Sequence, residues 1–269
     1  MFKGVIVPLI TPFNEDYSID FVGLEWLVKF LVEKGVDGIF PYSTTGEFVH
    51  LKYDEGIRIV ERIMEIIDRK VKIIPGISAN STLNCIDLGK VMEDLGVDGV
   101  IATPPFFFKL NEDQLFEHFS SIAKKIDLPI IVYNIPSLTG NFISIKLYRR
   151  LAEEYSNIAG AKITYDSVSY MRDLIFELKA TRKDFSILTG LDDLLLNTLI
   201  LGGDGGIMAC ANFAPEIHIT LYRSFMRGEY DVALEMHKKL SQLVRIYNAA
   251  SSFPTAIKTA LKIMNTQVK

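Results

Sequence analysis

The sequence predicts an α/β protein: a (β/α)8 barrel (TIM barrel) with a short C-terminal helical extension. Three observations predict it. Eight short apolar runs alternate with eight amphipathic stretches along the 269 residues. A helix-to-strand joint recurs: Lys34-Gly35-Val36-Asp37-Gly38-Ile39-Phe40 returns as Leu95-Gly96-Val97-Asp98-Gly99-Val100-Ile101 and again as Leu201-Gly202-Gly203-Asp204-Gly205-Gly206-Ile207. Finally, chemically capable residues stand directly after three of the apolar runs, and the C-terminal strand ends are where such barrels carry their sites.

The elements follow in order. Val5–Ile10 is an apolar run that begins almost at the N-terminus. Thr11-Pro12-Phe13-Asn14 comes next, and it is not the Gly-rich phosphate loop that a doubly wound open sheet, the competing architecture, carries after its first strand. Helical periodicity covers Phe21–Glu33, and Gly35 suits a left-handed helix cap before the strand Gly38–Pro41. The pattern repeats as helix Asp54–Asp68 and strand Lys72–Pro75, then helix Leu83–Leu95 and strand Gly99–Ala102. It continues as helix Glu112–Lys125, strand Ile130–Tyr133, helix Ile145–Glu154 and strand Ile158–Lys162. Helix Val168–Lys179, strand Ser186–Leu188, helix Asp193–Leu201, strand Gly205–Met208 and helix Glu216–Met226 complete the alternation. The runs are short and uniformly apolar, as strands buried on both faces are. In Gly202-Gly203-Asp204-Gly205-Gly206 the glycines suit close backbone packing ahead of a strand better than phosphate binding. Two further helices, Tyr230–Tyr247 and Thr255–Met264, form the extension. With no linker or low-complexity stretch, the expectation is one domain, residues 1–228 as the barrel and 229–269 as its extension.

Composition excludes several classes of function. About half of the residues are hydrophobic, enough for a sizeable core. The net charge is −4 and the basic residues are dispersed, so a nucleic-acid footprint is not expected. No apolar run has the length of a membrane span, and the N-terminus enters a strand pattern at once, without room for a signal peptide. Two isolated cysteines, Cys85 and Cys210, suit a reducing compartment, so a cytoplasmic protein is expected. His50, His118, His218 and His237 lack paired ligand spacing and are read as surface or structural, so neither a metal nor any other cofactor is expected.

Lys162 is the most informative residue. It ends the run Ile158-Ala159-Gly160-Ala161-Lys162-Ile163, and a lysine buried there sheds its proton and becomes a nucleophile toward carbonyls. Taken alone, a strand-end lysine that reaches water is the simpler reading. Tyr133 at another strand end and Thr44-Thr45-Gly46-Glu47 after a third shift that balance, because all three segments would face one barrel mouth. An imine on Lys162 would turn a keto acid's carbonyl into an electron sink. The Tyr133 phenol could carry the proton, and the threonine turn could bind a carboxylate.

The chain resembles the dihydrodipicolinate synthase/N-acetylneuraminate lyase family of Schiff-base pyruvate lyases. The resemblance rests on Pro8-Leu9-Ile10-Thr11-Pro12-Phe13, Thr44-Thr45-Gly46-Glu47, Tyr133-Asn134-Ile135-Pro136, Gly160-Ala161-Lys162, Thr189-Gly190-Leu191-Asp192-Asp193 and Gly205-Gly206-Ile207, and runs from near residue 3 to the end. It implies that Lys162 is the Schiff-base lysine and Tyr133 the acid/base phenol. Thr44 and Thr45 would hold the pyruvate carboxylate, with Thr45 also relaying protons. Gly190 and the Ile207 carbonyl would line the site, and Asp192 and Asp193 would bind substrate hydroxyls. A dimer of dimers is the implied assembly.

Two departures carry information. Where dihydrodipicolinate synthases place an arginine for the aldehyde substrate's carboxylate, this chain has Leu138, which cannot make a bidentate contact. Phe106-Phe107 stands where many members have a tyrosine pair, so the relay hydroxyl from a neighbouring subunit is missing; three adjacent aromatics, Phe106-Phe107-Phe108, also suit an interface plug. The expected function is therefore a class I, pyruvate-dependent aldolase acting on a 2-keto-3-deoxy sugar acid such as 2-keto-3-deoxygluconate. N-acetylneuraminate lyase, which shares the apolar residue at Leu138 and the Asp204-Gly205-Gly206 segment, stands second. Dihydrodipicolinate synthase stands third. A sugar-acid binding protein on the same barrel is the non-enzymatic alternative.

Overall fold

The computed structural model describes residues 1–67, 71–264 and 266–268. Eight parallel strands, β1 (Gly4–Pro8), β2 (Gly38–Phe40), β3 (Lys72–Ile73), β4 (Val100–Ala102), β5 (Ile130–Asn134), β6 (Ile158–Ile163), β7 (Ser186–Thr189) and β8 (Gly205–Ile207), lie in the order β3-β2-β1-β8-β7-β6-β5-β4. The intervening helices are α1 (Phe21–Lys34), α2 (Tyr53–Ile66), α3 (Thr82–Asp94), α4 (Glu112–Ala123), α5 (Pro136–Thr139), α6 (Ile145–Glu154), α7 (Val168–Thr181) and α8 (Leu195–Ile200). α9 (Pro215–Met226), α10 (Tyr230–Leu243) and α11 (Phe253–Ile263) follow. This order and alternation are those of a (β/α)8 barrel with a C-terminal helical extension.

Predicted and observed elements differ where local chemistry is subtle. α5 is a single turn that the periodicity does not reveal; Pro136 opens it and Gly140, at φ 70°, closes it. The stretch expected as one helix from Asp193 begins as a 3-10 turn, Asp192–Leu194, before α8. The helix expected to reach Tyr247 stops at Leu243 and tightens into a 3-10 turn over Val244–Asn248. The expected end of the second helix, Asp68, lies outside the described residues.

The chain divides into two compact units, Met1–Lys3 with Gly76–Gly206 and Gly4–Pro75 with Ile207–Lys269. In the first, β4 to β7 pair in sequence, β7 pairs with the start of β8, and Ile77 donates a backbone bond to Ile101 (2.9 Å). The Phe2 ring occupies the space that a Cβ on Gly99 would need, 2.7 Å away, while the Phe2 amide donates to Ser186 Oγ (2.8 Å). In the second, β1 pairs with β2 and β2 with β3, and the Met208 amide donates to Ile6 (2.8 Å). Fully buried Asn212 stitches this unit: its side chain donates to the carbonyls of Pro8 (2.9 Å) and Ala209 (2.8 Å) and accepts from the Ile10 amide (3.2 Å). α10 packs along α9.

The recurring joint has one physical meaning in all three copies. Gly35, Gly96 and Gly202 have φ of 84°, 71° and 93°, a region that any Cβ would disfavour. In two copies the aspartate that follows anchors a strand: Asp37 accepts from the Val5 amide (2.8 Å), and Asp204 accepts from Ile187 (2.8 Å) while pairing with Lys179 (2.6 Å). Gly203 is pressed against Thr198, whose methyl would lie 2.5 Å from an added Cβ. That segment serves strand placement, as the sequence suggested.

Candidate active site

The first unit brings Lys162, Tyr133, Thr164, Gly190 and Asp192 together. β5 and β6 are neighbours in register, with Tyr133 opposite Lys162. This pairing depends on an irregularity between Ile130 and Ile131: Ile130 faces Ile158, but Ile131 faces Gly160, so Ala159 is an extra residue. Without that bulge the phenol would face Ala161 instead of the lysine, since a one-residue slip turns every side chain to the opposite face. On the other side of β6, Lys162 pairs with Leu188 of β7.

Lys162 is 3% exposed, and its Nζ lies 3.9 Å from the centre of the Tyr133 ring. Burial lowers its pKa from an ordinary 10.5 to about 7, and the Asp192 charge acts in the opposite direction. The amine is thus neutral in a large fraction of molecules near pH 7, beside the quadrupole of an aromatic face that favours its protonated form. Such a lysine can attack a carbonyl without prior removal of its proton by another base.

Thr164, two residues after the lysine, was not among the predicted site residues. Its Oγ1 donates to the Tyr133 hydroxyl (3.1 Å), which leaves the phenolic proton to point to another acceptor. No sequence pattern distinguishes this threonine from an ordinary loop residue; it becomes visible once the register of β5 and β6 is known. Gly190 follows β7 and donates its amide to the Ile163 carbonyl (2.7 Å). A Cβ there would stand 2.0 Å from Thr164 Oγ1 and 3.0 Å from Lys162 Cε, so a side chain at 190 competes directly with both groups. Asp192 is buried at 3%, whereas Asp193 is half-buried in the same 3-10 turn. Leu138, on α5, is 56% exposed and offers only hydrocarbon.

The remaining predicted residues belong to the second unit. Thr45 is buried, Thr44 half-buried, and Ile207 fully buried at the end of β8. Around the threonines, Ser43 Oγ accepts from the Gly46 amide (3.0 Å), and Thr11 Oγ1 donates to the Gly46 carbonyl (2.7 Å). Gly46 is needed here because a Cβ would lie 2.7 Å from the Leu9 carbonyl oxygen. Of the histidines, His118 and His218 are buried and bonded within their own surroundings; burial lowers the His118 pKa to about 4. Among the described residues, no group of three or more His, Cys, Asp or Glu could hold a metal ion.

The chain is similar to known proteins over its whole length. The family model of the dihydrodipicolinate synthetase family matches residues 1–269. An uncharacterized DapA-like lyase of Thermofilum pendens is 54% identical over 268 residues, covering 100% of this chain and 89% of the relative. The Escherichia coli K12 protein named "Probable 2-dehydro-3-deoxy-D-pentonate aldolase YjhH" is 36% identical, covering 100% of this chain and 89% of its own length. A second protein of that strain, "Putative 2-dehydro-3-deoxy-D-gluconate aldolase YagE", is 34% identical over 268 residues, again covering 100% and 89%. The crystal structure of YagE, described as a prophage protein of the dihydrodipicolinic acid synthase family in complex with pyruvate, superposes with a TM-score of 0.97 over 100% of this chain and 90% of that one. The paired Lys162 and Tyr133, the barrel and the full-length match lead to one assignment: the chain belongs to the dihydrodipicolinate synthetase family, a family of lyases.

Proposed function

We propose that the chain is a class I aldolase that cleaves a 2-keto-3-deoxy sugar acid, such as 2-keto-3-deoxygluconate, to pyruvate and an aldehyde. The observation that carries this reading is the Lys162 amine, buried and poised near pH 7, with the Tyr133 phenol against it. The amine adds to the C2 carbonyl, Tyr133 gives its phenolic proton to the departing oxygen, and water leaves, giving a protonated imine beside a phenolate. Tyr133 accepts the proton of the C4 hydroxyl. The C3–C4 bond then breaks, its electron pair passing into the imine as an enamine while C4 departs as the aldehyde carbonyl. Protonation of the enamine at C3 and hydrolysis return pyruvate and the free lysine. The imine itself is the electron sink, so the sequence of steps calls for no cofactor. Thr164 fits the role of orienting the phenol, and Asp192 that of setting the lysine's protonation.

Thr44 and Thr45 are assigned to the pyruvate carboxylate, Thr45 also to proton relay, and Gly190, Asp193 and Ile207 to the substrate wall. The names of the two Escherichia coli relatives support a sugar-acid substrate. Leu138 supports the same choice, since hydrocarbon cannot recognise the carboxylate of an amino-acid semialdehyde. In the Asp204-Gly205-Gly206 segment, Asp204 is engaged by Ile187 and Lys179, a strand-anchoring role that does not itself call for a substrate. Phe107 and Phe108, 86% and 72% exposed in the single chain, support a homo-oligomer in which other copies cover them. Among the described residues no helix is long and apolar enough to cross a membrane.

The test is borohydride reduction with pyruvate, followed by peptide mapping and a substrate panel. A reduced adduct on Lys162, together with pyruvate release from 2-keto-3-deoxy sugar acids, is the expected result. Faster turnover of pyruvate with aspartate semialdehyde would replace the reading by dihydrodipicolinate synthesis. A folded protein without any adduct would replace it by sugar-acid binding alone.

A further inference from the structure

The Thr44-Thr45-Gly46-Glu47 turn is built under strain. It is bracketed by Tyr42 at φ 51° and Glu47 at φ 58°, both in the left-handed region that non-glycine residues avoid. Such backbone persists only where the surroundings over-determine it. Tyr42 is fixed by packing: its ring meets Phe48 edge-on at 5.8 Å and fills the space above Gly56, where an added Cβ would lie 2.4 Å from the ring. The backbone closes through the amides of Glu47 and Phe48, which donate to Thr44 (3.1 Å) and Ser43 (3.2 Å).

Glu47 is held differently. Its carboxylate forms an ion pair with Nζ of Lys258, on α11 of the C-terminal extension and 211 residues away in sequence. The two side chains are only 24% and 19% exposed, so the pair is shielded from the screening that weakens surface ion pairs. The same ammonium sits 4.3 Å from the centre of the Phe13 ring, just beyond the first strand. α11 is a firm base for this contact: Ser252 caps it, Pro254 starts it, and Ile257 and Leu261 bury it on either side of Lys258.

We infer that Lys258 is a positioning residue for the Thr44–Glu47 turn, locking Glu47 in its left-handed conformation and thereby holding Thr44 and Thr45 ready for a carboxylate. This rests on the proposed function for the carboxylate role. It also gives the C-terminal extension a task in ligand binding that its place after the barrel does not suggest.

The experiment follows the pyruvate concentration that half-saturates borohydride trapping on Lys162, alongside amide exchange over residues 43–48, in the full chain. In Lys258→Met the half-saturating concentration is expected to rise about tenfold, as small misplacements of binding groups do. Trapping at saturating pyruvate stays complete, and exchange at Gly46, Glu47 and Phe48 quickens. Glu47→Gln should do the same, and the double variant should be no worse than either single one, because the two side chains act as one unit. Lys258→Arg keeps the charge and should restore most of the affinity even if the methionine variant folds poorly. An unchanged half-saturation and unchanged exchange in Lys258→Met, with Thr45→Val still weakening pyruvate, would overturn the inference and leave the aldolase reading standing. Wild-type protein that traps no pyruvate at all would remove the aldolase reading and the inference with it.

Discussion

Lys162 carries its function in its protonation. Below pH 7 the ammonium prevails and cannot attack; above it the amine is free. The rising limb of kcat/KM against pH is therefore expected near pH 7, well below an ordinary lysine's 10.5. The Asp192 charge raises the lysine's pKa, so Asp192→Asn should move that limb to lower pH; a limb that stayed in place would detach the aspartate from the lysine. The same shift acts on stability. The unfolded chain regains a lysine that titrates near 10.5 and so binds more protons than the fold between pH 7 and 10.5. The penalty is complete below pH 7 and fades as the pH rises through that window. At pH 7 it is on the order of 4 kcal/mol, so the neutral Lys162→Met should unfold at higher denaturant than wild type, by a margin that vanishes toward pH 10.5. Urea midpoints of both proteins at the two pH values check this. Lys162 was legible in sequence because a basic residue in an unbroken apolar run contradicts its surroundings. Thr164 was not, because its meaning lies in one hydrogen bond across two strands.

At the scale of elements, β5 and β6 form the working pair, and the Ala159 bulge sets their register. Apolar runs reveal strands but not which residues face each other, so the sequence located Tyr133 and Lys162 on adjacent strands without showing them opposed. The turns after β2 and β7 follow the same division. Glycine in each marks a tight place, yet only packing shows what it is tight against: Leu9 for Gly46, and Thr164 with Lys162 for Gly190. Gly190→Ala should accordingly cost about 1–3 kcal/mol of stability through overpacking. It should slow imine trapping by roughly a hundredfold, because the methyl displaces the reacting groups themselves. Single-turnover trapping at saturating pyruvate measures this, and normal trapping in a folded Gly190→Ala would show that the close approach does not matter. α5 and the 3-10 turns escaped the periodicity because three or four residues are too few to display a helical repeat.

For the whole molecule, the alternation of apolar runs and the recurring left-handed glycine were enough to read the barrel, since both are consequences of burying a parallel sheet on its two faces. The fate of its outer surface was less legible. Phe107 adopts φ 90° and, with Phe108, projects into solvent in a single chain. Asn141 donates to the carbonyls of Pro105 and Phe108 (2.8 and 2.9 Å) and accepts from the Leu110 amide (2.7 Å), so this loop is held firmly while presenting apolar rings. Phe107→Asp is expected to lower the assembly state seen by light scattering, with the barrel's circular dichroism intact; an unaltered mass would place the subunit contacts elsewhere. The neutral amine has a consequence beyond turnover. At neutral pH most lysines of a protein are ammonium ions and inert toward electrophiles, whereas Lys162 is substantially an amine, though only 3% exposed. A small, uncharged acylating reagent in limiting amount should therefore mark this one position among the chain's lysines, giving a handle for fluorescent tagging or covalent inhibition that does not depend on the identity of the substrate.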